Sequence, residues 1–400
     1  MSKNRLKNSL RSGPDQLGYY GEGESARGGF ASGETLMPVL KNLSEAFENA
    51  IKDQGFLDKF HYYCKHWIGR PSPLYYAENL TKKIGGAKIL FKSEHLNHTG
   101  SHKITNCLFQ TLLALRMNKT KLLVESGAGA HYSAAAACAS KFRLPLTGVM
   151  GKTDVARVNT NIIKARHYGS KLEVVDGSLK EAITFVLKKW TSSPDSYYLC
   201  GSAVASSPFP RIVQYAQSII GKEIREQCLD QEKKLPNEII ACLGGGSNSI
   251  GAFHEFLDEP SVKLCGVEGS TSAALTKGTI GIMQGMKSYM LQSKDGSIAL
   301  KTSDIAAGIN YFSVGPQHSY LKDIKRVEYT SATDDEILET YKLVARTEGI
   351  CSALEPMAAV CETVKRAKGK SKDYVIVTNL CGRGEKDLDT IEKHYGEEFE

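Results

Sequence analysis

The 400-residue sequence has no apolar run close to the ~20 residues that a bilayer-spanning helix needs. Residues 1–13 are basic but no apolar stretch follows them, so we do not expect a secretory signal. The ten cysteines are scattered singly and form no Cys-x-x-Cys pair, which argues against a zinc knuckle or a dithiol redox motif. Most of them lie in apolar runs, as small buried hydrophobes do in a reducing compartment, and we expect a cytoplasmic protein.

Concentrated positive charge is also missing. The formal net charge is +7, but the lysines are spread along the chain in clusters no larger than Lys82-Lys83 and Lys188-Lys189. Nucleic-acid binding needs a basic stripe or patch, so we expect neither nucleic acid nor membrane as a partner. A dinucleotide fingerprint with an acidic residue ~20 positions further on is absent, which disfavours a nicotinamide-dependent oxidoreductase.

The length suits two α/β domains of ordinary size. From residue 87 onward, short aliphatic runs alternate with helical stretches, which indicates parallel sheets covered by helices. We expect strands at residues 88–91, 121–125, 146–150, 171–175, 238–243, 263–267 and 374–378, and helices at 105–117 and 133–142. The apolar spacing from Leu40 to Ile51 predicts an earlier helix, whereas residues 1–35 are typical of an irregular arm outside the core.

A glycine-rich segment, Gly244-Gly245-Gly246-Ser247-Asn248, follows the predicted strand 238–243. Such a turn lets backbone N–H groups converge on an anion, and the serine and asparagine add side-chain donors. We interpret it as a phosphate cradle; the alternative is a tight turn without a ligand. Its spacing matches neither a dinucleotide fingerprint nor a Walker A loop.

Two further candidates lie where predicted strands end. Lys103 falls between a strand ending near Phe91 and a helix starting near Thr105, where a lysine can form a Schiff base with an aldehyde, although most lone lysines are surface charges. Glu125 ends a strand and opens the glycine loop 126–131, whose amides could bind a carboxylate. Because ligands of α/β folds lie at the carboxyl ends of strands, these segments predict one cleft between two domains.

In this order the motifs resemble the tryptophan synthase β-chain family, which are fold-type II pyridoxal-phosphate enzymes. The resemblance covers nearly the whole chain and includes Gly69-Arg70-Pro71, His102-Lys103, Ser313 to His318, Ala353-Leu354-Glu355 and Gly382-Arg383-Gly384. It implies a two-domain α/β fold with parallel-rich sheets covered by helices and the active site between the domains. The implied N-terminal domain is 1–68 with 102–215, and the C-terminal domain, which carries the phosphate loop, is 69–101 with 216–400.

The resemblance also implies roles for single residues. Lys103 would carry pyridoxal 5′-phosphate and shuttle the substrate proton, and Glu125 would be the second catalytic residue. Besides Lys103, the implied cofactor-binding positions are His102, Gly244, Gly245, Gly246, Ser247, Asn248, Glu355 and Cys381. The implied substrate-binding positions are Ser126, Gly127, Ala128, Gly129, Ala130, His131 and Asn310, and the backbone of Gly244, Tyr311 and Ser313 matches a monovalent-cation site.

The activity implied by the family is β-replacement, in which L-tryptophan is formed from L-serine and indole. A homodimer is implied as well. An α-type tryptophan synthase subunit is a candidate partner, because Lys180 matches a family position that faces that subunit.

Several positions depart from the family pattern. Asn310 stands where the family has an aspartate that pairs with an arginine, matched here by Arg157. The other departures are Thr105, Ala130, Cys200 and Cys381, where the family has Asn, Gln, Leu and Ser. These changes leave open a diverged enzyme that uses another donor, such as O-phosphoserine, or another nucleophile. Retention of both Lys103 and Glu125 argues against a non-catalytic partner protein.

Overall fold

The computed structural model describes residues 14–29, 35–155, 159–296 and 300–396. Its strands, β1 to β14 in chain order, are Tyr19–Tyr20, Arg27–Gly28, Leu74–Tyr76, Lys88–Lys92, Lys121–Glu125, Leu146–Gly151, Lys171–Val175, Ser196–Tyr198, Glu238–Leu243, Lys263–Gly269, Thr279–Met283, Met286–Met290, Glu328–Ala332 and Val375–Asn379. Its α-helices are Met37–Ala50, Gln54–Tyr63, Glu78–Ile84, Lys103–Arg116, Ala130–Lys141, Lys152–Val155, Asn159–His167, Leu179–Thr191, Phe209–Gln217, Ile219–Glu232, Ser247–Phe253, Ala274–Lys277, Pro316–Asp323, Asp334–Glu348, Leu354–Ala367 and Leu388–Tyr395.

The largest sheet has six strands in the order β13-β10-β9-β14-β4-β3. Its pairs are parallel except for β3, which runs antiparallel to β4 at one edge. All residues of the central strands β9 and β14 are buried, as expected for near-continuous apolar runs covered on both faces. Because β9 and β14 are neighbours, the loops that follow them emerge side by side.

A second sheet is entirely parallel, with the order β7-β6-β5-β8. The strands predicted from the sequence in these two sheets are confirmed, with each end within two residues of its predicted position. The helix predicted around Leu40 is Met37–Ala50. The short strands β3, β8 and β13 were missed. Three residues, as in β3 and β8, are too few to show a periodicity, and β13 has a half-exposed, mixed polar pattern.

The third sheet corrects an expectation about the N-terminal arm. β1 and β2 pair with each other, and Gly28 of β2 pairs with Lys287 of the β11–β12 hairpin. Tyr20 is buried and accepts a hydrogen bond from the Gln317 amide at 3.0 Å. The expectation that the arm lies outside the core is therefore wrong for this tyrosine. A two-residue strand is too short to show a periodicity in the sequence, whereas burial of an aromatic side chain stabilises the fold.

Buried apolar side chains form one cluster around the four-stranded parallel sheet and two clusters on the faces of the six-stranded sheet. The first cluster draws on residues between 40 and 216. The exact domain boundaries given above stay a prediction. Within the described ranges, each helix is too short or too polar to cross a bilayer.

Candidate active site

One cavity of about 150 Å³ lies at the carboxyl ends of β5, β9 and β14. It brings together residues that are far apart in the sequence, as the glycine loops predicted. The predicted site residues that line it are His102, Lys103, Glu125, Ser126, Gly127, Ala128, Ala130, His131, Gly244, Gly245, Gly246, Ser247, Asn248, Asn310, Tyr311, Glu355 and Cys381. Gly129 and Ser313 are the predicted residues that do not line it.

Lys103 begins the helix Lys103–Arg116 and extends its amine into this cavity. Its Nζ donates to the Gly201 carbonyl at 2.6 Å and to the Ser247 hydroxyl at 3.3 Å. Burial lowers the pKa of the Lys103 amine below its usual value. A larger fraction of this amine is therefore neutral than in a free lysine, and the neutral form is the nucleophile toward an aldehyde.

The glycine loop lies directly beside that amine. His102 Nε2 is 3.0 Å from the Ser247 hydroxyl, and the other ring nitrogen is 3.0 Å from the Cys381 carbonyl. A Cβ added at Gly245 would lie 1.9 Å from the Ser202 hydroxyl, so a side chain there would displace Ser202. Gly246 has φ +93°, a left-handed conformation that favours glycine. The loop backbone therefore stays bare toward the cavity.

Glu125 is the last residue of β5 and is almost fully buried. Burial raises the pKa of its carboxyl to about 7, although a hydrogen bond from Tyr198 opposes the shift. Its Oε2 has no hydrogen-bond partner among the described residues. A carboxyl that titrates near neutral pH and keeps one oxygen uncommitted is suited to move a proton.

His131 follows the same loop but has a different setting. Its Nε2 is 2.9 Å from the Leu199 carbonyl and its Nδ1 is 3.3 Å from the Cys107 thiol. Burial lowers the pKa of His131 to about 3, so the ring is neutral at physiological pH. Both ring nitrogens are occupied by Leu199 and Cys107, which do not line the cavity, and this leaves the backbone of the loop to meet a ligand.

Comparison with known proteins decides the family. Residues 68–382 match the family described as pyridoxal-phosphate dependent enzyme. A tryptophan synthase beta chain from Allorhizobium ampelinum is 46% identical over 408 residues, covering 99% of both chains. This chain belongs to the tryptophan synthase β-chain family. It is therefore a pyridoxal-phosphate enzyme.

Two solved structures share the fold of this β-chain family member. A mutant of O-ureido-L-serine synthase with O-ureido-L-serine bound gives a TM-score of 0.63 at 17% identity, covering 82% of this chain and 92% of that one. A fungal L-serine ammonia-lyase from Rhizomucor miehei gives a TM-score of 0.65 at 20% identity, covering 81% and 98%. At these identities the likeness confirms the fold-type II architecture alone.

Lys386 is a cavity residue to which the sequence pattern assigned no role. Its Nζ donates to Glu355 Oε1 at 2.8 Å, and the same oxygen accepts from the Gly308 backbone N–H at 2.7 Å. Burial opposes ionisation of Glu355, yet the Lys386 charge holds the pKa of this carboxyl below its usual value. No spacing rule links two residues 31 positions apart on different elements, so only the fold could reveal this pair.

The departures from the β-chain family pattern have distinct settings. Cys381 Sγ lies 3.5 Å from Cys242 Sγ, and this contact together with burial raises the pKa of the Cys381 thiol well above its usual value, so it stays protonated. The Cys200 thiol donates to the Ser202 carbonyl at 3.3 Å. Asn310 Oδ1 accepts from the Asp304 backbone N–H at 3.2 Å. Arg157, the expected partner of position 310, lies outside the described residues.

Proposed function

We propose that the chain catalyses pyridoxal-phosphate-dependent β-replacement and forms L-tryptophan from L-serine and indole. The observation that carries the proposal is the half-buried Lys103 amine, which shares one cavity with the Glu125 carboxyl and the glycine loop. The 46% identity to a tryptophan synthase beta chain supports the choice of substrates.

The residues present fit the cofactor. Lys103 would carry it covalently, and the backbone of Gly244 to Gly246 with Ser247 and Asn248 would hold its phosphate. The fit rests on Gly245 and Gly246, where an added Cβ would meet Ser202 and His318. Because neither position carries a side chain, the backbone N–H groups of the loop are left accessible to a phosphate. The Cys381 thiol and the Glu355 carboxyl line the same cavity and would help to hold the cofactor. When bound, the cofactor supplies an electron sink for negative charge at the substrate Cα.

The remaining work would fall to this chain's own side chains. Lys103, once released, would take the proton from the substrate Cα, a task for which its lowered pKa suits it. Glu125 would give a proton to the departing β-hydroxyl and then orient the second substrate. The loop 126–131 would hold the substrate carboxylate, because Gly129 is followed by the unpaired N–H groups that begin the helix Ala130–Lys141.

The direct test is a steady-state assay with L-serine and indole, with the product identified by mass. We expect L-tryptophan from the native enzyme and none from Lys103→Ala. Borohydride reduction of the holoenzyme followed by peptide mapping should place the cofactor on Lys103. An adduct on another lysine, or no tryptophan from the native enzyme, would refute the proposal.

We also propose that the chain assembles as a homodimer and binds an α-type tryptophan synthase subunit near Lys180. The support is the likeness to a tryptophan synthase beta chain, and Lys180 is exposed in the helix Leu179–Thr191, where a partner can reach it. Light scattering of the chain alone and with an α-type subunit tests both statements. A monomer in the first measurement, or no mass increase in the second, would contradict them.

We further propose that the backbone of Gly244, Tyr311 and Ser313 binds a monovalent cation. Gly244 packs against the Gly308–Ile309 backbone, and Tyr311 N–H donates to the Ile309 carbonyl, so these backbone positions gather beside the cavity. Turnover should depend on K⁺ or Na⁺ and fall when tetramethylammonium replaces them.

We place the chain in the cytoplasm because its ten cysteines are all free thiols.

A further inference from the structure

The phosphate loop rests on a buried histidine. His318 lies in the helix Pro316–Asp323 and has no exposed surface. Its Nε2 is 2.9 Å from the Gly246 carbonyl oxygen and 3.1 Å from the Ser249 hydroxyl. Its Nδ1 is 3.0 Å from the Tyr329 hydroxyl. The ring therefore bridges the glycine loop and strand β13.

These contacts determine the position of the ring proton. A carbonyl oxygen can only accept, so Nε2 carries the hydrogen and donates it to Gly246. Nδ1 is then left with its lone pair and, at 3.0 Å, is the nearer of two acceptors for the Tyr329 hydroxyl, the other being the His318 backbone carbonyl at 3.2 Å. Burial lowers the pKa of His318 to about 4, so this neutral form persists at physiological pH.

The Gly246 carbonyl shares one planar peptide with the Ser247 N–H, and the two groups point in opposite directions. Holding the carbonyl toward His318 therefore turns the Ser247 N–H away from His318. Ser247 lines the active-site cavity. Two other donors to this carbonyl, Ile250 N–H and the Ser249 hydroxyl, belong to the helix that follows the loop, whereas His318 reaches it from a distant segment.

The segment that carries His318 meets the loop at a second point. Gly315 N–H donates to the Gly245 carbonyl at 3.1 Å, directly before the helix begins. The ring also packs so closely under the loop that a Cβ at Gly246 would lie 2.2 Å from its Cδ2. Two successive loop carbonyls are thus held by one segment, and the ring explains why position 246 is glycine.

We infer that His318, held in one tautomer by Tyr329, is a positioning residue that fixes the phosphate loop in its cofactor-binding shape. This inference rests on the proposed role of residues 244–248 in holding the phosphate. Without this support, only a fraction of the molecules hold the loop in the conformation that binds the cofactor. The apparent affinity for the cofactor is then reduced by that fraction.

The test is titration of apoenzyme with pyridoxal phosphate, followed by absorbance, together with thermal unfolding of each apoenzyme. His318→Leu should raise the cofactor Kd about tenfold, the effect of one lost hydrogen bond to a buried carbonyl. His318→Gln should bind the cofactor as tightly as the native chain, because its amide offers the same donor and acceptor pair. Tyr329→Phe should raise Kd by about threefold even if His318→Leu fails to fold, since the ring loses the donor that orients it.

The inference is overturned if Tyr329→Phe binds the cofactor as tightly as the native chain, whether or not His318→Leu folds, and also if a folded His318→Leu does so. It is also overturned if His318→Gln is as weak as His318→Leu, because the donor would then not matter. Ser247→Ala separates this inference from the proposed function. If Ser247→Ala binds more weakly than native while the His318 and Tyr329 variants do not, only the inference fails; if Ser247→Ala also binds normally, the phosphate-loop assignment fails with it.

Discussion

Lys386 Nζ lies 2.8 Å from Glu355 Oε1, and each side chain is only 8% exposed. The lysine also pairs with Asp387, whose carboxylate accepts the Leu354 backbone N–H at the start of the helix that carries Glu355. One buried cation thus links the turn after β14 to that helix. Glu355 in turn accepts a hydrogen bond from the Gly308 N–H. Lys386, Glu355 and Gly308 all line the active-site cavity.

Lys386→Met should therefore destabilise the apoenzyme. Removing the cation leaves two buried carboxylates without their counter-charge, which costs about 3 kcal/mol or more. The matched control is Lys365→Met, which breaks the half-exposed pair with Glu336 and should cost less than about 1 kcal/mol. Urea unfolding of both variants measures the difference, and equal midpoints would show that the buried pair contributes nothing special.

Glu125→Gln should lower turnover by about 10²-fold or more, because an amide cannot transfer the proton. Cofactor absorbance should be unchanged, since the predicted cofactor-binding positions do not include this residue. The same assay on Tyr198→Phe reports on the hydrogen bond to Glu125. Full activity in Glu125→Gln would remove this carboxyl from the chemistry.

The raised pKa of Glu125 also predicts how stability depends on pH. The folded chain holds this proton more tightly than the unfolded chain, with a pKa of about 7 against the usual 4.5 of a glutamate. Its stabilising contribution is complete below the unfolded value and is lost as the pH rises through the folded value. The native chain should therefore lose stability relative to Glu125→Gln between these two values. Parallel melting curves across that range would contradict the shift.

Asn310 predicts a preference for the leaving group of the donor. A neutral amide at the cavity wall does not repel an anionic substituent such as the phosphate of O-phosphoserine, whereas a carboxylate would. Asn310→Asp should shift the ratio of kcat/KM toward serine by about tenfold or more, since like-charge contacts cost several kcal/mol. Asn42→Asp, at an exposed position away from the cavity, makes the same charge change and should leave the ratio alone. An unchanged or opposite shift in Asn310→Asp means that the amide does not select the donor.

Much of this site could be predicted from the sequence. Continuous apolar runs identified β9 and β14, because strands buried on both faces need apolar side chains throughout. The glycine loop and Glu125 were candidates because each follows a strand or ends one, but the roles of Lys103 and Glu125 came from the resemblance to the β-chain family. Position relative to a strand is a local property, so the sequence reports it directly.

The pairs that shape the site were decided by the tertiary structure. Cys242 and Cys381 lie 139 positions apart and meet because β9 and β14 are neighbours in the sheet. His318 reaches Gly246 across 72 positions. Periodicity indicates which side chains are buried but not which ones they contact, because the contact depends on strand order and on helix packing. For the same reason the sequence predicted no role for Lys386. Its ion pair with Glu355 is seen only in the folded chain.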